Sequence, residues 1–172
     1  MKIFLIYCIH KADTQGEVIK MAELKLASPE FSDGGAIPER YGYKRKNINP
    51  PLKIYRVPED TVSMVLVMDD PDAVEPAGKV WDHWIMWNIP ADTREIKEDS
   101  VPSGAVEGKN DYGSDGYGGP NPPDKKHTYL FKLYALDTEL DIPPSSTKKD
   151  VREAMKGHVL AKTKLTGTFE PL

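Results

Sequence analysis

Two polar runs stand at the ends of apolar stretches, where a core has no use for them. Asp69-Asp70-Pro71-Asp72 follows directly on VSMVLVM, and GYGGPNPPDKKHTY (116–129) runs straight into YLFKLYAL. A third polar residue, His83, interrupts the aromatic run VWDHWIMWNI. Pro71 fixes its own φ and biases Asp70 away from the helical region, so Asp70 and Asp72 are held in a set orientation. Taken alone, Asp and Pro also make an ordinary strand-ending turn, and a His among aromatics is commonly a satisfied core residue.

Three chemistries use such residues. Two His and a carboxylate can hold a metal, but no HxH or HExxH spacing is present and no metal is assigned. His and Asp suit general acid–base hydrolysis or elimination. Against that, no Ser stands in a GxSxG setting, and the lone Cys8 lies in IFLIYCI, which reads as an inert buried strand. The third is anion recognition. Each imidazole would offer N–H donors, Asp would orient an imidazole through its other nitrogen, and Gly would let a ligand approach backbone N–H groups. Pro would stiffen the wall, and affinity would rise below about pH 6.5. The residue types alone leave these readings open, beside a purely structural Asp/His network.

The elements that must position these residues are mostly strands. Val62–Met68 is β-branched and almost wholly apolar. Val80–Ile89 alternates, with Trp81, His83, Ile85 and Trp87 on one face and Asp82, Trp84, Met86 and Asn88 on the other. Leu52–Tyr55, Tyr129–Leu136 and Val159–Phe169 read as further strands. Leu24–Leu26 alternates weakly, and Ile3–Ile9 is a candidate extra strand. One helix is expected after Thr147, an N-cap with Asp150 three residues on. It carries Val151, Ala154, Met155 and His158 on one face and ends near Gly157. A turn is expected at Asp33-Gly34-Gly35. The fold class is therefore mostly β, a sandwich or Greek-key arrangement with one or two small helices.

The chain has 172 residues, enough for one domain with a core. Its net charge of −4 argues against a general nucleic-acid role. The short basic runs at 44–46, 125–126 and 148–149 read as solvated surface. A single cysteine permits no internal disulfide and fits a cytoplasmic protein. The apolar stretch in MKIFLIYCIH is too short to span a membrane. Residues 1–20 read as an appendage to a main domain at 21–172.

The run MDDPDAVEPAGKVWDHWIMWNIP, followed by GKNDYGSDGYGGPNPPDKKHTYLFKLYALD, resembles the phosphatidylethanolamine-binding protein family, which includes the Raf kinase inhibitor proteins. The closest likeness is to its bacterial and archaeal branch. SPEF at 28–31, NPPL at 49–52 and GHVLAKTKLTGTFE at 157–170 extend the likeness over roughly residues 22–170. The resemblance implies a Greek-key β-sandwich of two antiparallel sheets with small flanking helices. It also implies a pocket for a phosphoryl-type anion, matched here by Asp70, Asp72, His83, Gly119, Pro120, His127 and Tyr129. Asn110 and Tyr117 match loop positions more loosely. It implies no cofactor, and a regulatory role as inhibitor of a kinase or protease; a small hydrolase or lyase is the alternative. Three departures stand out. Val-Glu-Pro follows Ala73 in place of the family's usual Ala-Pro. Asn121 stands where Cys or Pro is often seen. No counterpart of the mammalian C-terminal helix follows Leu172, so the pocket is expected to be open or covered by the partner of a homodimer.

Overall fold

The computed structural model describes residues 23–172. The elements run in the order β1 (Lys25–Ala27), β2 (Gly35–Ala36), β3 (Leu52–Tyr55), β4 (Ser63–Asp70), α1 (Val74–Ala77), β5 (Trp81–Pro90), β6 (Glu95–Ile96), β7 (Val106–Glu107), β8 (His127–Leu136), α2 (Lys148–Ala154) and β9 (Val159–Phe169). Short 3-10 turns occupy Glu39–Tyr41 and Pro71–Ala73. One sheet has six strands in the order β2-β9-β8-β4-β5-β7, and a smaller one has the order β1-β3-β6. Every pairing is antiparallel except the two-residue parallel contact of β2 with β9. This is the mostly β, two-sheet architecture the sequence implies.

The apolar run of β4 follows from its place. It is hydrogen-bonded between β5 and β8, and every one of its residues is buried. Met64, Leu66 and Met68 face the core between the sheets, against Leu26, Leu52 and Ile54 of the small sheet and Phe131 and Leu133 of β8. Val65 and Val67 face a second core with Ile85, Trp87, Leu136 and Leu140, roofed by Val151 of α2 and by Met155 just after it. A strand covered on both faces has no polar positions to spare until its end.

Strict alternation along β5 does not hold. Met68 pairs with Trp84 but Asp69 pairs with Asp82, so His83 is an extra residue in the ladder. A second slip lies between Met64 opposite Ile89 and Leu66 opposite Met86. Each bulge reverses the phase. Trp81 and His83 therefore share a side with Trp84 and Met86, while Asp82, Ile85 and Trp87 face α2. At the second slip Asn88 takes a φ of 53°, and its amide brackets the Leu140 backbone, with Nδ2 donating to the carbonyl and Oδ1 accepting from the N–H.

α2 begins with the expected capping box: Thr147 Oγ1 accepts from Asp150 N, and Asp150 Oδ2 accepts from Thr147 N at 2.8 Å. It is shorter than expected, ending at Ala154, and Gly157 with φ 81° turns the chain back. His158 therefore leaves the apolar face and lies exposed, with Nδ1 2.8 Å from Asp137 Oδ1. Lys148 is likewise not plain solvated surface. It reaches inward to Asp82 and Asp69. The Asp33-Gly34-Gly35 turn is present, with Gly34 at φ 78°. The candidate strand Ile3–Ile9, Cys8 and the 1–20 appendage lie outside the described residues. Among the described residues no helix is long and apolar enough to cross a membrane.

Candidate functional site

Antiparallel pairing brings the two polar runs together. β4 ends at Asp70 where β5 begins at Trp81 and β8 begins at His127, so residues far apart in sequence meet at one end of the large sheet. They surround a cavity of about 250 Å³, whose wall includes Asp70, Trp81, His83, Tyr112, His127 and Tyr129, with Ala73, Pro76, Ala77, Pro122 and Pro123 as apolar neighbours.

Asp70 is fixed on both carboxylate oxygens. Oδ1 caps the following 3-10 turn, accepting from the N–H of Asp72 at 2.9 Å and of Ala73 at 3.2 Å. Oδ2 lies 2.7 Å from His127 Nδ1. The other nitrogen of His127 lies 2.9 Å from Asp124 Oδ1. Both ring nitrogens thus face carboxylate oxygens that can only accept, so both carry protons and the ring is an imidazolium. Burial opposes that charge, but the hydrogen bond and charge of Asp70, helped by Asp124, outweigh it and raise the His127 pKa.

His83 is held the opposite way. Its backbone carbonyl accepts from Gly118 N at 2.8 Å, and its Nδ1 lies 2.6 Å from the Gly118 carbonyl. Nδ1 must therefore donate. Burial pulls the His83 pKa down, and the backbone carbonyl of Gly118 only partly offsets it. The ring is neutral, and Nε2 bears a lone pair with no protein hydrogen-bond partner among the described residues. The expectation that each imidazole offers an N–H to a ligand is not met. His127 has both of its N–H groups engaged, and His83 offers an acceptor.

The donors lie elsewhere. Tyr129 is fully buried in the cavity wall, and its hydroxyl has no hydrogen-bond partner among the described residues. Burial, and then the charge of Asp70, push its pKa far up, so it keeps its proton. The indole N–H of Trp81 is also buried and unpartnered among the described residues. The Tyr129 ring meets His83 edge-on with centroids 5.1 Å apart, and Tyr112 closes on His83 at 5.7 Å and on Trp81 at 5.5 Å.

The remaining sequence candidates build the walls. Asp72 turns from the cavity, and its Oδ2 accepts from Thr128 N at 2.7 Å, tying the 3-10 turn to β8. Gly119 N donates to Asn47 Oδ1 at 2.7 Å, and a Cβ on Gly119 would overlap the Tyr41 carbonyl. The Pro120 carbonyl accepts from Tyr43 N at 2.9 Å. The N–H groups of Gly118 and Gly119 are consequently spent within the protein. Asn110 is buried at the root of the loop; its Nδ2 donates to the Gly116 carbonyl and its Oδ1 accepts from Tyr112 N, both at 3.0 Å. Tyr117 donates from its hydroxyl to the Tyr41 carbonyl at 3.0 Å.

Sequence reasoning missed Trp81, Tyr112 and Asp124 as site residues. Asp124 had a signal, three residues before His127. Tyr112 had none beyond its place in a Gly-rich loop. Among the described residues no group of three or more His, Cys, Asp or Glu side chains is placed to hold a metal ion.

Comparison with known proteins agrees with this architecture. The phosphatidylethanolamine-binding protein family model matches residues 27–170. A UPF0098 protein of Methanothermobacter thermautotrophicus is 46% identical over 151 residues, covering 85% of this chain and 98% of the relative. Among solved structures, a phosphatidylethanolamine-binding protein homologue from Chlamydia trachomatis superposes with a TM-score of 0.83 at 38% identity, covering 87% of this chain and 99% of the other. Escherichia coli YbcL, described as a member of the mammalian PEBP family, gives 0.81 at 32% identity, covering 88% of this chain and 100% of its own. The chain belongs to the phosphatidylethanolamine-binding protein family.

Proposed function

We propose that this protein binds a small ligand through a phosphoryl-type oxyanion seated at the Asp70–His83–Tyr129 end of the large sheet. One observation carries the reading. Two buried donors, the Tyr129 hydroxyl and the Trp81 indole N–H, lack partners among the described residues, and both residues line one cavity. A buried polar group without a partner costs free energy, and two in one cavity wall call for a ligand with acceptor oxygens. The apolar neighbours Pro76, Pro122 and Pro123 suit the organic part of a phosphorylated compound.

The same geometry favours binding over hydrolysis. His127, bonded at both nitrogens, has no lone pair with which to take a proton; His83 Nε2 keeps one, but among the described residues no Ser, Thr or Cys lines the cavity for it to activate. On this reading a protein target, such as a kinase or protease, would be engaged through a phosphorylated side chain in the same cavity.

The test is an NMR titration of labelled protein with phosphate and phosphoethanolamine, beside Tyr129→Phe. Saturable shifts at His83, Tyr129 and Gly118 are expected. The variant should keep wild-type stability or gain slightly, because it loses an unpaired buried hydroxyl, while affinity falls about tenfold. Wild-type binding by Tyr129→Phe, or no shifts at millimolar ligand, would remove the reading.

A further inference from the structure

The cavity presents an acceptor as well as donors, and the acceptor is fixed by backbone rather than by solution pH alone. His83 Nδ1 sits 2.6 Å from the Gly118 carbonyl, which can only accept, so the ring's first proton is committed there. The same glycine holds the His83 carbonyl through its N–H at 2.8 Å. The bulge at His83 removes it from the strand ladder and turns it to the Trp81 side. The ring cannot exchange its two nitrogens without breaking the bond to Gly118. Protonating Nε2 would put a charge on a side chain that is almost wholly buried. Asp70 is more fully used: Oδ1 accepts from two backbone N–H groups and Oδ2 from His127, which leaves it one lone pair.

We infer that the pocket selects oxyanions that carry their own O–H, donated to His83 Nε2, and so takes phosphomonoesters and hydrogenphosphate in preference to phosphodiesters and sulfate. This inference rests on the oxyanion reading above and narrows it. A phosphomonoester with a second pKa near 6 is about half monoprotonated at about pH 6. Its P–OH donates to His83 Nε2, and its other oxygens accept from Tyr129 and Trp81. A phosphodiester, such as the headgroup of an intact phospholipid, has no P–OH. Sulfate matches hydrogenphosphate in size and charge and lacks only the proton. A site built around a buried acceptor rejects the analogue without the matching donor more strongly than it would reject a small change of shape. His83 is thus the specificity-determining residue, through the nitrogen it leaves unprotonated.

The decisive comparison uses the whole protein at about pH 6, titrated with inorganic phosphate, sulfate, methyl phosphate and dimethyl phosphate. Affinity is read by calorimetry, and the His83 ring nitrogens are followed by ¹⁵N NMR. Phosphate and methyl phosphate should bind more than about tenfold tighter than sulfate and dimethyl phosphate. The Nε2 signal should remain that of an unprotonated, hydrogen-bonded nitrogen in the complex. Equal affinity for sulfate and phosphate, or an imidazolium signal at His83 on binding either, overturns the inference and leaves the oxyanion reading standing. Binding of none of the four at millimolar concentration defeats both. His83→Gln presents both a donor and an acceptor, and it should bring sulfate to within about threefold of phosphate. A variant that binds phosphate and keeps the wild-type ratio counts against His83 as the selector.

Discussion

Asp69 and Asp70 are neighbours in sequence, equally buried, and placed on opposite faces of one strand. Asp69 faces α2. Its Oδ2 takes Lys132 at 2.8 Å and Lys148 at 3.3 Å, and Lys148 also reaches Asp82. Asp70 faces the cavity, where it meets an imidazolium and two backbone N–H groups. The first carboxylate is closed off by lysines on long, partly exposed stems. The second is held by short, rigid groups and leaves beside it a space with unpaired polar atoms. The difference teaches that charge and burial do not by themselves mark a site. What distinguishes the cavity side is that its polar groups are rigidly fixed and that residues with unpaired polar atoms line a cavity there.

The largest effect should come from Asp70→Ala, which strips one partner from the buried His127 imidazolium and uncaps the turn at Pro71. The cost is expected at about 3 kcal/mol or more in urea unfolding, with phosphate binding abolished. A loss below about 1 kcal/mol would show that Asp124 alone suffices for His127 and would dissolve the contrast.

Next comes a pH test of the two histidines. The folded pKa of His127 is raised above the unfolded value of 6.5, so its stabilisation is full below about pH 6.5 and is lost as pH rises through the raised value. That of His83 is lowered, so its contribution is present above about pH 6.5 and is lost as pH falls through the lowered value. Urea midpoints should therefore decline on both sides of about pH 6.5. His127→Gln should flatten the alkaline limb and His83→Gln the acid limb. Interchanged limbs would reverse the protonation states on which the site depends.

A smaller change is expected for Asp69→Ala, about 1 kcal/mol, with phosphate affinity unchanged. Its partners can swing to solvent, and its Oδ1 is already without a hydrogen-bond partner among the described residues. A loss of phosphate binding in this variant would mean the two faces are coupled through β4. The smallest effect should be Lys148→Met. Burial raises the Asp82 pKa despite the hydrogen bond from Lys148, so this variant should lose about 0.5 kcal/mol, a difference that shrinks in about 1 M salt.

Much of the fold was legible. Leu52–Tyr55 has the same limits in the sequence reading and in the structure, and the last strand lies where the sequence puts it, near Val159–Phe169, because period-2 alternation and flanking Pro and Gly are local signals. Thr147 and Asp150 announced α2 by a capping box that needs only residues three apart. The faces of β5 were not legible past His83. A bulge is decided by how β4 pairs, and the misassigned Trp84 and Asp82 follow from that one slip. The site was legible as a set of residue types but not as roles. Asp72, Gly119 and Pro120 stand in the expected motifs yet form hydrogen bonds within the walls, while Trp81, Tyr112 and Asp124 enter the site through contacts between segments.

The sequence by itself determined that this chain is a mostly β protein, with Asp and His at strand ends and a Gly/Pro loop between them. Alternation, capping and proline geometry act within a few residues and can be read in order. Only the tertiary structure decided which histidine is charged and which nitrogen of the other is bare. Those states depend on acceptors placed across the sheet: Asp70 against His127, 57 positions apart, and the Gly118 carbonyl against His83, 35 positions apart. Proton position is a property of partners, and partners separated by that much chain are brought together only by the fold.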